Sequence, residues 1–401
     1  LTVPSNAEVI PMFRAVAAFR TVLARPHVRP LALSSLLARL PKGMMPLALV
    51  LLVSRQTGSY AIAGTVTALF AMGDAVTAPW QGRLVDRFGY ARVLIPIAVL
   101  HVMATIGLTV AQSPAALCAL AAAGGLGVPP ISGAVKARLA ELVADDQVPA
   151  VFALEALLQQ SFFLLGPLLA TGLIVLAGPA VTAVVAAAMV AIGTFGFVGA
   201  AGSGRQSGGD RGRRRGAFRI PAVRILFAST LLQSLTYGVL PIALAAAATR
   251  SGAPAAAGVV QATLTLGGVI GSAADGSRDY VRLLARFACC LVPLSAFATI
   301  DSPVGLAGLS ATLLATGLLA TPLATSGYLL IRRATPVDCR IEAFAWQSTG
   351  LAVGTALGSA IGGALVDHGG PALAFAVPPL AAGLAAGLPA MIRRRVPSVF
   401  G

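Results

Sequence analysis

Apolar positions in this chain neither alternate nor line a single face. They fill long runs near residues 31–53, 61–80, 93–112, 115–134, 151–177, 180–200, 223–247, 256–274, 283–300, 304–328, 341–366 and 371–392, with most charged residues gathered between them. About 20 helical residues, at roughly 1.5 Å each, cross the hydrocarbon core of a bilayer. Buried strands can also be wholly apolar, but runs of this length rich in Ala, Leu, Val and Gly favour helices, which satisfy their own backbone in lipid. The pattern predicts an all-α integral membrane protein of twelve transmembrane helices.

The runs also repeat. Val28 to Leu49 return at Val223 to Leu244 with one constant offset, Ser34 answering Ser229, Gly43 answering Gly238 and Pro46 answering Pro241. With a small change of offset, Ala63-Gly64 answers Ala257-Gly258, Gly166 answers Gly358, and Gly178-Pro179 answers Gly370-Pro371. Two similar apolar halves predict pseudo-symmetric six-helix bundles with a pathway between them. The division read from this is a cytoplasmic arm at 1–30, a first bundle at 31–200, a linker at 201–220, a second bundle at 221–393 and a tail at 394–401. The linker, rich in Gly, Ser and Arg with no apolar periodicity, cannot build a core.

Composition agrees with membrane burial: 57% of residues are hydrophobic and 11% charged, with a mean hydropathy of +0.86. A soluble domain carries about 25% charged residues. The net charge of +15 raises the question of nucleic acid, and its distribution answers it. Of the 29 Lys and Arg, all but Arg39, Lys42, Arg55 and Arg250 fall on one side if the N-terminus is cytoplasmic. That is the positive-inside pattern, so the basic charge reports topology and contact with anionic lipid, and no nucleic-acid partner is expected. Both termini are expected in the cytoplasm. The arm before residue 31 lacks the apolar core and small-residue site of a cleaved signal peptide. Cys118, Cys289, Cys290 and Cys339 form no Cys-x-x-Cys pair and have no nearby His, which argues against a metal site or structural disulfide.

The sharpest motif lies between the second and third runs: Gly82-Arg83-Leu84-Val85-Asp86-Arg87-Phe88-Gly89-Tyr90-Ala91-Arg92. Glycines suit a tight reversal there, and Asp86 with the arginines can pair across neighbouring helix ends. Here the chain resembles the major facilitator superfamily, whose signature at this point is Gly-x-Leu-x-Asp-Arg-x-Gly followed by basic residues. Gly82, Leu84, Asp86, Arg87 and Gly89 match, while Tyr90 and Ala91 depart from the usual basic pair and Arg92 stands in for it. The resemblance implies a gate latch of Asp86 and Arg87 against the start of helix 11 near Arg340 and Glu342. A loop that only fixes topology is the plainer alternative. Asp275-Gly276-Ser277-Arg278-Asp279, the equivalent in the second half, does not match. In helix 5, Gly166-Pro167-x-x-Ala170-Thr171-Gly172 resembles weakly an element associated with antiporters. A bend or a tight packing contact explains Gly166 and Pro167 equally well. Helix 4 lacks the arginine that many drug and proton antiporters carry there.

Ionisable groups inside spans are costly and usually face a cavity. Arg39, Lys42, Asp74 and Glu155 are the candidates, joined by Gln159, Gln233, Tyr237, Gln261 and Gln347 as uncharged lining and by Trp346 beside the last. Arg39 and Asp74 are expected to pair, either as a structural contact with Lys42 reaching to the membrane surface or as part of a substrate and proton pathway. Aligning the halves sets Arg39 against Gln233, Asp74 against Gly268 and Glu155 against Gln347, which confines this charge to the first half. His101 reads as a hydrogen-bonded packing residue.

No phosphate loop, metal-spaced cluster or nucleotide domain is present, so neither an enzyme nor an ATP-driven pump is indicated and no cofactor is expected. The sequence reads as a multi-pass secondary transporter of the cytoplasmic membrane, a monomer, moving a small molecule by alternating access, with proton-coupled export as the leading form. A non-transporting receptor or accessory protein on the same fold, and an importer of a sugar or organic acid, are the alternatives.

Overall fold

The computed structural model describes residues 28–132, 134, 135, 138, 148–201, 217–271, 279–335 and 340–393. Among them every regular element is helical. The first half contains α1 (Val28–Arg39), α2 (Pro41–Thr57), α3 (Tyr60–Phe88), α4 (Tyr90–Val110), α5 (Pro114–Leu126) and α6 (Val148–Ala201). A single turn at Ala217–Arg219 leads into the second half: α7 (Pro221–Arg250), α8 (Ala256–Gly271), α9 (Tyr280–Leu291), α10 (Pro293–Phe297), α11 (Pro303–Ala334), α12 (Arg340–Ala374) and α13 (Val377–Arg393). Eight helical stretches among the described residues are long and apolar enough to cross a membrane, and Pro114–Leu126, Ala256–Gly271 and Val377–Pro389 are shorter apolar helices. A helix thus stands over every expected run.

Two of those runs share α6. Its backbone leaves helical geometry at Gly178, where φ is 83°, a left-handed value that costs glycine least. The chain doubles back there. Gly166 packs on the backbone of Gly43, whereas Gly193 and Gly196 return to Ala38 and Ser34 of α1. At Gly370 in α12, aligned with Gly178 by the repeat, φ is 75°. Backbone geometry at the two glycine-proline turns therefore follows the duplication.

Close packing also follows it, and goes further in the second half. Gly43 meets Gly166, and their counterparts Gly238 and Gly358 meet in turn. Gly350, Gly354, Gly358 and Gly362 recur every fourth residue along α12, opposite Phe227, Leu231, Leu235 and Val239 of α7. Residues four apart line one helix ridge. Without Cβ atoms that ridge becomes a groove, and the α7 backbone itself lies in it, the Leu231 and Leu235 carbonyls nearest to Gly354 and Gly358; without a hydrophobic driving force inside lipid, such packing is what holds helices together. Outward, Met103, Val110, Leu176, Ile192, Leu380 and Leu384 are exposed, as an acyl-chain environment demands.

The halves touch through α3 against α12 and α6 against α8. At the first contact Gly64 lies on the Ser359 carbonyl and Gly363 on the Tyr60 carbonyl. At the second, Gly258 packs against Pro167 and Thr171, and Thr171 Oγ1 donates to the Ala255 carbonyl at 2.9 Å. All these residues lie near the end of the molecule that carries the turns at Gly58 and Gly252. Toward the other end, Val76, Trp80 and Leu84 of α3 are exposed. Among the described residues, the halves are closed against each other at the first of these ends.

Candidate functional site

Lys42 and Asp74 meet at the junction of α2 and α3. Lys42 Nζ donates to Asp74 Oδ2 at 3.0 Å, and both side chains remain about one-third exposed, 34% and 29%. The expected pairing of Asp74 with Arg39 is therefore corrected, as is the expectation that Lys42 reaches to the membrane surface. The cause is which side of the span each residue faces. α1 ends at Arg39 and α2 begins with Pro41, whose ring cannot continue the hydrogen-bond ladder. Leu40 between them nonetheless keeps helical torsions, φ −47° and ψ −41°, so the span runs on, with Lys42 meeting α3 while Arg39 is buried, donating from Nε to the Ser35 carbonyl at 3.0 Å and from Nη2 to Ser35 Oγ at 3.3 Å. Its guanidinium also sits 5.6 Å from the centre of the Phe162 ring, a cation–π contact that suits a partly desolvated arginine.

Partial exposure distinguishes the Lys42–Asp74 pair from a packed core contact. An ion pair left accessible in the middle of two apolar spans is costly against lipid, so such groups usually face a cavity. His101 lies behind it, fully buried, with Nδ1 2.9 Å from the Gly124 carbonyl and the ring edge-on to Phe70. It is the hydrogen-bonded packing residue the sequence indicated. Gln233, Tyr237, Gln261 and Gln347 are half-buried in the second half. The Oε1 atoms of Gln261 and Gln347 are buried and meet no hydrogen-bond donor among the described residues. Buried amide carbonyls without donors are costly.

Several expected contributors cannot be placed. The side chains of Glu155, Gln159 and Asp86, and those of Arg340 and Glu342, lie outside the described residues, so the latch inferred at the start of helix 11 does too. Of the remaining motif, Arg83 and Arg87 are exposed and lie over the rings of Trp80 and Phe88 at 5.3 and 5.0 Å, and Gly89, with φ of 84°, ends α3. Leu84 is exposed, and Gly82 and Arg92 have open surroundings or exposed side chains. Around Pro167 the backbone keeps helical geometry, and Gly166 is pressed against Gly43, so the element acts as a packing contact here.

Two features escaped the sequence reading. One is an aromatic knot where the linker enters α7: Phe218 lies 4.4 Å from Trp346 and 5.5 Å from Phe227, ring centre to ring centre. The other is Asp367 at the far end of α12. It accepts from Ser59 Oγ at 2.6 Å, the Tyr60 N–H at 2.8 Å and the Ala61 N–H at 2.8 Å. Nothing local to residue 367 announces a partner more than 300 positions earlier.

Comparison with known proteins places these features in a frame. A model of the family described as the Major Facilitator Superfamily matches residues 31–274. Among solved structures, a single-substitution variant of the nucleoside transporter NupG is similar at 12% identity with a TM-score of 0.74, covering 93% of this chain and 99% of that one. The unsubstituted NupG structure is similar at 13% identity and a TM-score of 0.71, covering 92% and 99%. A bacterial homologue of the iron transporter ferroportin, in an outward-facing state with soaked iron, is similar at 17% identity and a TM-score of 0.57, covering 91% and 98%. No curated protein matches. At these identities the structural likeness concerns the fold.

Proposed function

Since the chain belongs to the Major Facilitator Superfamily, we propose that it is a secondary transporter that exports a small molecule across the cytoplasmic membrane by alternating access, driven by protons. The observation that carries this reading is the Lys42–Asp74 pair, one-third exposed between two apolar spans. A carboxylate held by a lysine, yet reachable by solvent, can exchange a proton when helix movement parts the two. Gln261 and Gln347 supply acceptors in the opposite half, which suits a neutral solute bearing N–H or O–H donors. The pathway also takes in Glu155 and Gln159 of α6 and Gln233 and Tyr237 of α7.

Purified protein in liposomes, assayed against a panel of compounds with and without an imposed proton gradient, tests this. Gradient-dependent movement of at least one compound is expected. Binding without movement would favour a receptor or accessory role, and movement into the cell along the gradient an importer.

Orientation follows from charge. With the arginine-rich linker and tail inside, the closed end faces outward and the described conformation is inward-facing. Cysteines replacing the exposed Arg55 or Arg250 are then expected to react in intact cells with a membrane-impermeant maleimide, and a cysteine replacing Arg83 only after permeabilisation. The reverse pattern rejects the orientation.

A further inference from the structure

The Asp367 contact differs in kind from a helix cap. The first N–H groups of any helix lack intrahelical acceptors and are usually satisfied by a side chain just before them. α3 already has such a residue: Ser59 Oγ accepts from the Ile62 N–H at 3.2 Å. Tyr60 and Ala61, the two donors left, are met by a carboxylate from the other half of the chain. Ser59 adds a third bond by donating its hydroxyl proton to the same carboxylate. A cap from α3's own bundle would travel with the helix, whereas this one is lost whenever the halves part.

Its placement is built into α12. Ser359, Gly363 and Asp367 follow one another at four-residue intervals and so share a ridge. The first two form the close approach of α12 to Gly64 and Tyr60, and Asp367 reaches the tip of α3 one turn later. Negative charge at a helix N-terminus is favoured by the backbone dipoles. Asp367 is exposed, so the contact is weak enough to be broken in every cycle. The second interface between the halves has no counterpart: the position aligned with Asp367 is Val175, which is exposed, and Thr171 bonds the Ala255 carbonyl instead.

We propose that Asp367 is the clasp of the closed end, a positioning residue whose carboxylate holds the start of α3 in the inward-facing state and must release it before the opposite state forms. The proposal rests on alternating access. Its test reads conformation without transport. In a background with the four native cysteines replaced, Ile242→Cys provides a reporter. Ile242 is fully buried, and its Cδ1 lies over Gly64 at the seam between the halves. Labelling of that cysteine by an impermeant maleimide, without substrate, is expected to quicken about tenfold in Asp367→Asn and Asp367→Ala, since both shift the population toward the open seam. Asp367→Glu, which keeps the charge, is expected to remain near the parental rate. Gly64→Val serves as a control that wedges the same seam. Parental rates in both Asp367 variants with faster labelling in Gly64→Val would overturn the clasp and leave alternating access standing. Parental rates in all of them would overturn both.

Discussion

Asp74→Asn is expected to abolish proton-driven accumulation in liposomes while the protein folds, inserts and still binds its substrate. The carboxylate is the charged partner of Lys42 at 3.0 Å, and an amide cannot exchange the proton that the proposed cycle needs. Stability does not decide the outcome. Exposed ion pairs contribute about 0–1 kcal/mol, and stripping one partner from a fully buried pair costs about 3–5 kcal/mol. With each side chain about one-third exposed, this pair falls between those limits. Lys42→Met is expected to impair transport for the complementary reason, since it removes the cation that holds the Asp74 carboxylate at 3.0 Å. The double variant separates the two roles. Removing both charges together is expected to return thermal stability close to the parental value while transport remains uncoupled. Full coupled transport in Asp74→Asn would assign the carboxylate to structure, with Glu155 the next candidate. Arg39→Gln is expected to weaken packing on Ser35 and Phe162 without uncoupling, because Asp74 is held by Lys42.

Gly354→Leu or Gly358→Leu is expected to leave little folded protein. A Cβ at either position falls on backbone, the Leu231 carbonyl for Gly354 and the Leu235 carbonyl for Gly358. A flexible side chain could turn aside, but a helix backbone cannot. Overpacking costs about 1–3 kcal/mol even where neighbours can adjust, so the figure here lies at the upper end or beyond. Gly172→Leu and Gly387→Leu, where a Cβ meets nothing within 4 Å, are expected to be neutral. Melting of detergent-solubilised variants by size-exclusion chromatography distinguishes these outcomes. Equal stability in all four would show that the groove does not hold α7 to α12.

What sequence could disclose follows from the range of each interaction. The helices were legible because a bilayer imposes length and apolarity on each span separately. The duplication was legible in aligned glycines, and Gly178 with Gly370 shows it at the level of backbone torsion. The groove along α12 was visible as a four-residue glycine spacing, but the spacing does not say which helix lies in it. The partner of Asp74 was not legible. Counting depth along the span ignores facing: Arg39 and Lys42, three residues apart, differ by about 60° around a helix, and the packing of the span against α3 decides which of them meets Asp74. Asp367 and Ser59 were further out of reach, since no periodicity links residues on different halves and only the assembled seam brings them together.

The groove between α7 and α12 also governs how force travels. From Gly350 to Gly362 the two helices are in contact over about 18 Å, with glycine on one side and the α7 backbone on the other. Helices joined over that height bend together and behave as one stiff beam. Gln347 and Asp367 stand about 30 Å apart on that beam by helical rise, the first near the start of α12 and the second at the closed end. On the proposed alternating-access cycle, a solute that displaced α12 at Gln347 would reach the start of α3 as a change of angle, with no chain of repacked side chains needed in between. On that cycle, a solute too small to tilt the beam would be expected to bind without being carried.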